Sequence, residues 1–122
     1  MEAFREAQRV DRDFAMAYWG EAMAYNQTLW LNQDAVAARE VLLRLGPTPA
    51  ARRAKARTDR ETGYLEAVEV LYGSGDRAFR NRAYADAMGR LAAAHPDDDE
   101  AQCFRALALM GTVARSPALL GE

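Results

Sequence analysis

The chain has 122 residues, half of them apolar and 28% charged, with a net charge of −2. That length and balance fit one globular domain able to bury a core unaided, and exclude a disordered or collagen-like chain. The near-neutral charge supplies no field toward nucleic acid or anionic lipid, and a single cysteine excludes an intrachain disulfide.

Punctuation cuts the chain into short helices, and no period-2 alternation runs long enough for a strand. Residues 1–10 form a first helix with Phe4, Ala7 and Val10 on one face. Asp13 is placed to cap a second, running to about Asn26, and the loop QTLWLN follows. A third helix runs from Asp34 to Leu45, with Ala38, Leu42 and Leu45 at helical spacing, and Gly46-Pro47 stops it. A short helix is expected within 49–56. Thr58, with Glu61 three places on, is a capping-box pattern that opens a helix to Tyr72. GSGD at 73–76 turns the chain. The next helix ends at His95-Pro96, and Asp97 to Glu100 open a last one reaching about Met110.

Part of this pattern recurs. DFAMAYWGEAMAYN, from Asp13, aligns without gaps with DEAQCFRALALMGT, from Asp99, so that Ala15 meets Ala101, Tyr18 meets Phe104, Ala22 meets Ala108 and Met23 meets Leu109. The helix before each segment matches one residue out of step, Phe4 with Leu91 and Ala7 with Ala94. Tyr18, Ala22 and Tyr25 fit the fourth, eighth and eleventh places of helix A of the tetratricopeptide repeat (TPR). Phe4 and Ala7 fit the aromatic and alanine that end its helix B, with Arg12 in the proline place. Tyr64, Ala67, Val68 and Leu71 fit a second helix A, and Phe104 and Ala108 a third. The chain thus resembles TPR proteins over nearly its whole length, with degenerate copies. One lysine among 16 basic residues, with abundant alanine, reads as a GC-rich bacterial genome.

The resemblance implies an all-α fold of antiparallel helical hairpins stacked as a short right-handed TPR-like solenoid. Its parts are a half repeat at 1–12, a repeat at 13–45, an insertion at 46–57, a repeat at 58–95 and a half repeat at 97–112. Phe14, Tyr18, Ala22 and Tyr25 would then face the core. Glu21, where the family places an apolar residue, is expected at a helix edge. The places that line the concave face of such a solenoid hold Met16, Trp19, Met23 and Asn26, then Leu65, Glu69 and Tyr72, then Arg105 and Leu109. That mostly apolar surface is the expected site for a peptide or protein partner, with methionine and tryptophan supplying adaptable contact area. Trp30 or the insertion folding over it would make a roofed pocket for a small apolar ligand instead. Gly20 and Ala106 occupy the place where some TPR proteins carry an asparagine for a partner's terminal carboxylate, so that clamp is not expected.

Catalytic chemistry has little to stand on. The one histidine, His95, precedes a proline at a helix end, where it suits the helix dipole. Cys103 aligns with Ala17, a small packed position. One His and one Cys cannot make a structural zinc site. The run Asp97 to Glu100 lacks the alternating ligands of a calcium loop and reads as a helix start. Gly73-Ser74-Gly75 follows a helix and lacks a lysine, so it is a turn rather than a phosphate loop. RRAKARTDR at 52–60 is basic but has no interleaved aromatics, and reads as a solvated segment rather than a nucleic-acid contact. The expectation is a non-enzymatic binding module without cofactor or metal. No apolar run approaches the roughly 20 residues of a membrane span. The charged start MEAFREAQRVDRD lacks a signal peptide's apolar stretch; the compartment stays open, with a cytoplasmic setting slightly favoured. The terminal helices each lack a repeat partner, so Phe4, Val10 and Leu107 are expected to meet another chain, in a homodimer or head to tail. Leu119 and Leu120 folding back past Pro117 would instead keep the chain single.

Overall fold

Side-chain caps fix most of the helix starts. Asp34 accepts from the amide of Ala37, Thr48 from Ala51, Thr58 from Glu61 and Asp76 from Phe79, each occupying one of the amides that a helix start leaves unbonded. The computed structural model describes residues 2–27 and 32–113. Among them lie α1 (Glu2–Val10), α2 (Ala15–Ala24), α3 (Ala35–Leu45), α4 (Pro49–Arg53), α5 (Asp59–Leu71), α6 (Arg77–Ala94) and α7 (Asp99–Val113). Between α2 and α3, β1 (Asn26–Gln27) pairs antiparallel with β2 (Asn32–Gln33), Asn26 opposite Gln33. Among the described residues the fold is all-α apart from this ladder. Trp30, Pro117, Leu119 and Leu120 lie outside the described residues.

One start differs from expectation. The amides at the start of α2 receive no side-chain cap. Asp13 stands before it, exposed, and pairs instead with Lys55 at 3.2 Å. On α1 the buried residue is Gln8, while Phe4 is 37% and Val10 80% exposed. The Phe4 ring sits directly on Gly20 of α2, in space that a Cβ at residue 20 would occupy.

α2 packs against α1, α3 and α5, α5 also against α4 and α6, and α6 against α7. α5 is the central element: Tyr64, Leu65, Ala67, Val68 and Leu71 are buried on more than one side. Each fully buried Leu or Val contributes about 1.5–3 kcal/mol. From α3 come Ala38, Val41, Leu42 and Leu45, spaced as one helical face. Tyr18 and Ala22 of α2 join the core as expected, while Tyr25 is only partly buried.

Trp19 reaches inward. Its ring meets Tyr64 edge-on at 5.1 Å and Phe104 of α7 at 5.2 Å, and those two rings lie 6.0 Å apart. Such edge-to-face pairs each add about 0.5–1.5 kcal/mol beyond burial. The three rings join α2, α5 and α7.

Glu21 is the main correction to the expected faces. Its carboxylate is fully buried at the junction of α1, α2 and α3, not at a helix edge. Gln8 donates to it at 2.8 Å, Arg5 at 3.1 Å and Arg44 at 2.9 Å to both oxygens. Burial pushes the carboxyl upward, but the bonds from Gln8, Arg5 and Arg44 outweigh it and hold it below the ordinary range. A place expected to be apolar thus holds a charge because its neighbours bring the compensating donors.

The basic stretch at 52–60 is a corrected expectation as well. Arg52 is buried, Arg57 pairs with Asp11, and Arg60 pairs with Asp98 and with Glu100 at 3.1 Å. It is therefore a charged strap, not a freely solvated segment. Cys103, expected in a packed position, is exposed on α7.

Candidate functional site

α3 carries a second apolar feature on the side away from its core stripe. Val36 and Leu43 are 68% and 59% exposed, with Arg39 between them on the same helical face. Because Leu42 and Leu43 are adjacent, only one can point at the core, and Leu42 does. Across from this face, the turn at 73–76 delivers Phe79 in the first turn of α6, where it stays 55% exposed. Gly75 makes that turn possible, with φ of +101°, a conformation that side chains resist.

Between them lies a groove of about 560 Å³. Its apolar lining comes from Leu42 and Leu43 of α3, Pro49 of α4, Val70 of α5, and Phe79 and Ala83 of α6. Its polar groups are Arg39, Arg52, Glu69, Tyr72 and Ser74. A groove of this size, mostly apolar with few polar groups, has the character of a binding site.

The charges in the groove are not equivalent. Arg52 donates to Glu69 through Nε at 2.6 Å and Nη2 at 2.7 Å, and to the Gly46 carbonyl through Nη1 at 2.8 Å. This bidentate pair is nearly buried and neutralises itself. Arg39 is bound differently. Its Nε donates to the Tyr72 carbonyl at 2.7 Å and Nη2 to the Gly73 carbonyl at 3.1 Å, so its acceptors are carbonyls at the end of α5. Arg80 reaches the same end from α6, donating to the Leu71 carbonyl at 2.8 Å, the Gly75 carbonyl of the turn at 3.1 Å and Gln33 Oε1 at 2.9 Å. Carbonyls at a helix C-terminus are left without amide partners and carry partial negative charge, which draws both guanidiniums there. Burial, and then the like charge of Arg39, lower the Arg80 pKa. Tyr72 floors the groove, its hydroxyl donating to the Ala22 carbonyl at 2.9 Å, and burial pushes its pKa up.

The residues expected on a concave face are dispersed. Leu65 is a core residue, 0% exposed, and does not lie on an open surface, while Tyr72, 3% exposed, reaches only the floor of the groove. Met16, Trp19 and Met23 are partly buried against the core. Asn26 is partly buried in the ladder, accepting from Gln33 at 3.1 Å. Arg105 borders a shallow cleft with Gly89 and Ala92 of α6. Leu109 is 43% exposed on α7. Only Glu69 and Tyr72 of this set meet in the groove. Of the residues expected in assembly, Phe4 and Leu107 are partly exposed and Val10 largely so, on α1 and α7.

Among the described residues, no three His, Cys, Asp or Glu side chains are grouped to hold a metal, and no helix is long and apolar enough to cross a membrane. Arg39, Leu43 and Phe79 are absent from the sequence-based site; the adjacent leucines on α3, of which only one can face the core, are a signal that could have found Leu43. No protein-family model, curated protein or solved structure matches the chain.

Proposed function

We propose that the chain is a non-enzymatic interaction module that binds a peptide or protein segment in the groove between α3, α4, α5 and α6. The observation that carries this reading is the exposure of Leu43 and Phe79 on either side of an apolar groove. Single exposed apolar side chains are ordinary, but two large ones flanking a concavity mark a contact surface. The α2–α3 and α5–α6 pairs are read as two TPR-like hairpins, a reading supported by the packing of α2 on α5. The groove then lies on the helix B side of the first hairpin rather than on the expected concave face.

Panning a random peptide display library on the immobilised chain, with a Leu43→Glu/Phe79→Glu variant as the control, tests the proposal. Enrichment of peptides with a recurring large apolar residue on the parent chain alone is expected. Equal recovery on both proteins would overturn the groove as the site.

Self-assembly is a second reading, favoured by the exposure of Leu107 and Met110 on one face of α7. Light scattering across a concentration series tests it. A mass above one chain that Leu107→Glu lowers supports assembly through α7, and a single-chain mass at high micromolar concentration overturns it.

A further inference from the structure

We infer that the segment bound in this groove is acidic as well as apolar, with a carboxylate side chain seated on Arg39 beside an apolar residue that packs on Leu43 and Phe79. The inference rests on the groove reading above and names the partner's chemistry. Four observations carry it.

First, Arg39 is exposed, and its two bonds go to carbonyl oxygens of Tyr72 and Gly73. Among the described residues no carboxylate pairs with it. Second, these bonds use Nε and Nη2, and among the described residues no acceptor is bound to Nη1, so the guanidinium is oriented in advance with donors to spare. Orientation before binding lowers the entropic cost of association, and a guanidinium fork suits a carboxylate. Third, the one carboxylate lining the groove, Glu69, is occupied by both forks of Arg52 and does not compete. Fourth, the nearby acids are engaged elsewhere: Asp34 and Asp76 cap α3 and α6, while Glu40 borders a different cleft with Arg44. Arg80 stands behind Arg39 on the same helix end. With Arg52 and Glu69 neutralising each other, the lining is apolar with one charge left over, that of Arg39, on a chain whose overall charge is −2. Its complement is an apolar side chain with a carboxylate nearby. A neutral apolar segment would leave the Arg39 guanidinium partly desolvated and without a counter-charge.

The test uses fluorescein-labelled peptides taken from the enriched pool, each paired with a copy in which its acidic residue is changed to the isosteric amide. On the parent chain the acid-to-amide change is expected to weaken binding about tenfold or more, as for a charge-assisted hydrogen bond. On an Arg39→Gln variant it is expected to change little. Arg39→Lys, which keeps the charge without the fork, is expected to retain part of the preference. The peptide substitution on the unaltered protein keeps the test valid should Arg39→Gln loosen the end of α5. Enriched peptides that bind equally as acid and amide would overturn the inference while leaving the groove reading intact. No enrichment over the Leu43→Glu/Phe79→Glu control would overturn both. A melting shift with dodecanoate but no peptide enrichment would assign the groove to a small lipid acid and overturn the peptide partner.

Discussion

Replacing Glu21 with alanine tests how the buried junction of α1, α2 and α3 is held. The carboxylate accepts from Gln8, Arg5 and Arg44 and is wholly shielded from water. When it is removed, Arg5 and Arg44, each about half exposed, regain water. Gln8 does not. It is 7% exposed and keeps only its longer bond to the Ala17 carbonyl, at 3.3 Å. A buried amide hydrogen without its acceptor costs about 1–3 kcal/mol. The lost methylenes add about 1 kcal/mol as a cavity forms. The lost attraction to two arginines is largely offset by no longer burying a charge. The sum is about 2–4 kcal/mol. With a urea slope of about 1–3 kcal/mol/M, the midpoint should fall by about 1 M or more. Urea unfolding followed by far-ultraviolet dichroism measures it. The pH dependence adds a second reading. The folded carboxyl titrates below the ordinary 4.5 because its bonds favour the charged form. Its contribution is therefore present above that value and is lost as pH falls through the folded pKa. The stability difference between the parent and Glu21→Gln should narrow as pH falls below 4.5 and through the folded pKa. An unchanged midpoint for Glu21→Ala, or a difference independent of pH, would refute the buried network.

Two further outcomes are expected. Gly20→Ala puts a methyl where the Phe4 ring lies, and overpacking of this kind costs about 1–3 kcal/mol; amide exchange in α1 should rise while α5 stays protected, and an unaffected α1 would show that it docks elsewhere. Cys103 should react with a disulfide reagent in the folded protein at close to the rate of a free thiol, since it is exposed; a rate limited by unfolding would return it to the core.

The parts of this fold that were legible in the sequence are those set by near neighbours. Asp34, Thr58 and Asp76 cap helices through amides three residues ahead, so local spacing sufficed. The buried face of α3 was readable from its helical period. Glu21 was not, because its donors come from α1 and α3 and no local pattern joins them. The concave face was misjudged where Leu65 and Tyr72 turned inward: α5 is wrapped by α2, α4 and α6, so it shows no single apolar stripe. Arg39 left no trace at all, since its acceptors are backbone carbonyls on a distant helix end, and carbonyls have no residue identity to read.

The charged strap at 52–60 bears on how the chain comes together in time. Arg57 reaches back 46 residues to Asp11, and Arg60 reaches forward 38 residues to Asp98. The entropy of closing a loop grows only with the logarithm of its length, so these two closures differ by about 0.2 kcal/mol. Chain statistics thus favour neither half as the first to fold in free solution. During synthesis the symmetry is broken: the backward loop can close as soon as Arg57 has emerged, while the forward one waits for Asp98. A pulse of hydrogen exchange on stalled nascent chains should find the α1 end protected first, whereas refolding from urea should find both ends gaining protection together.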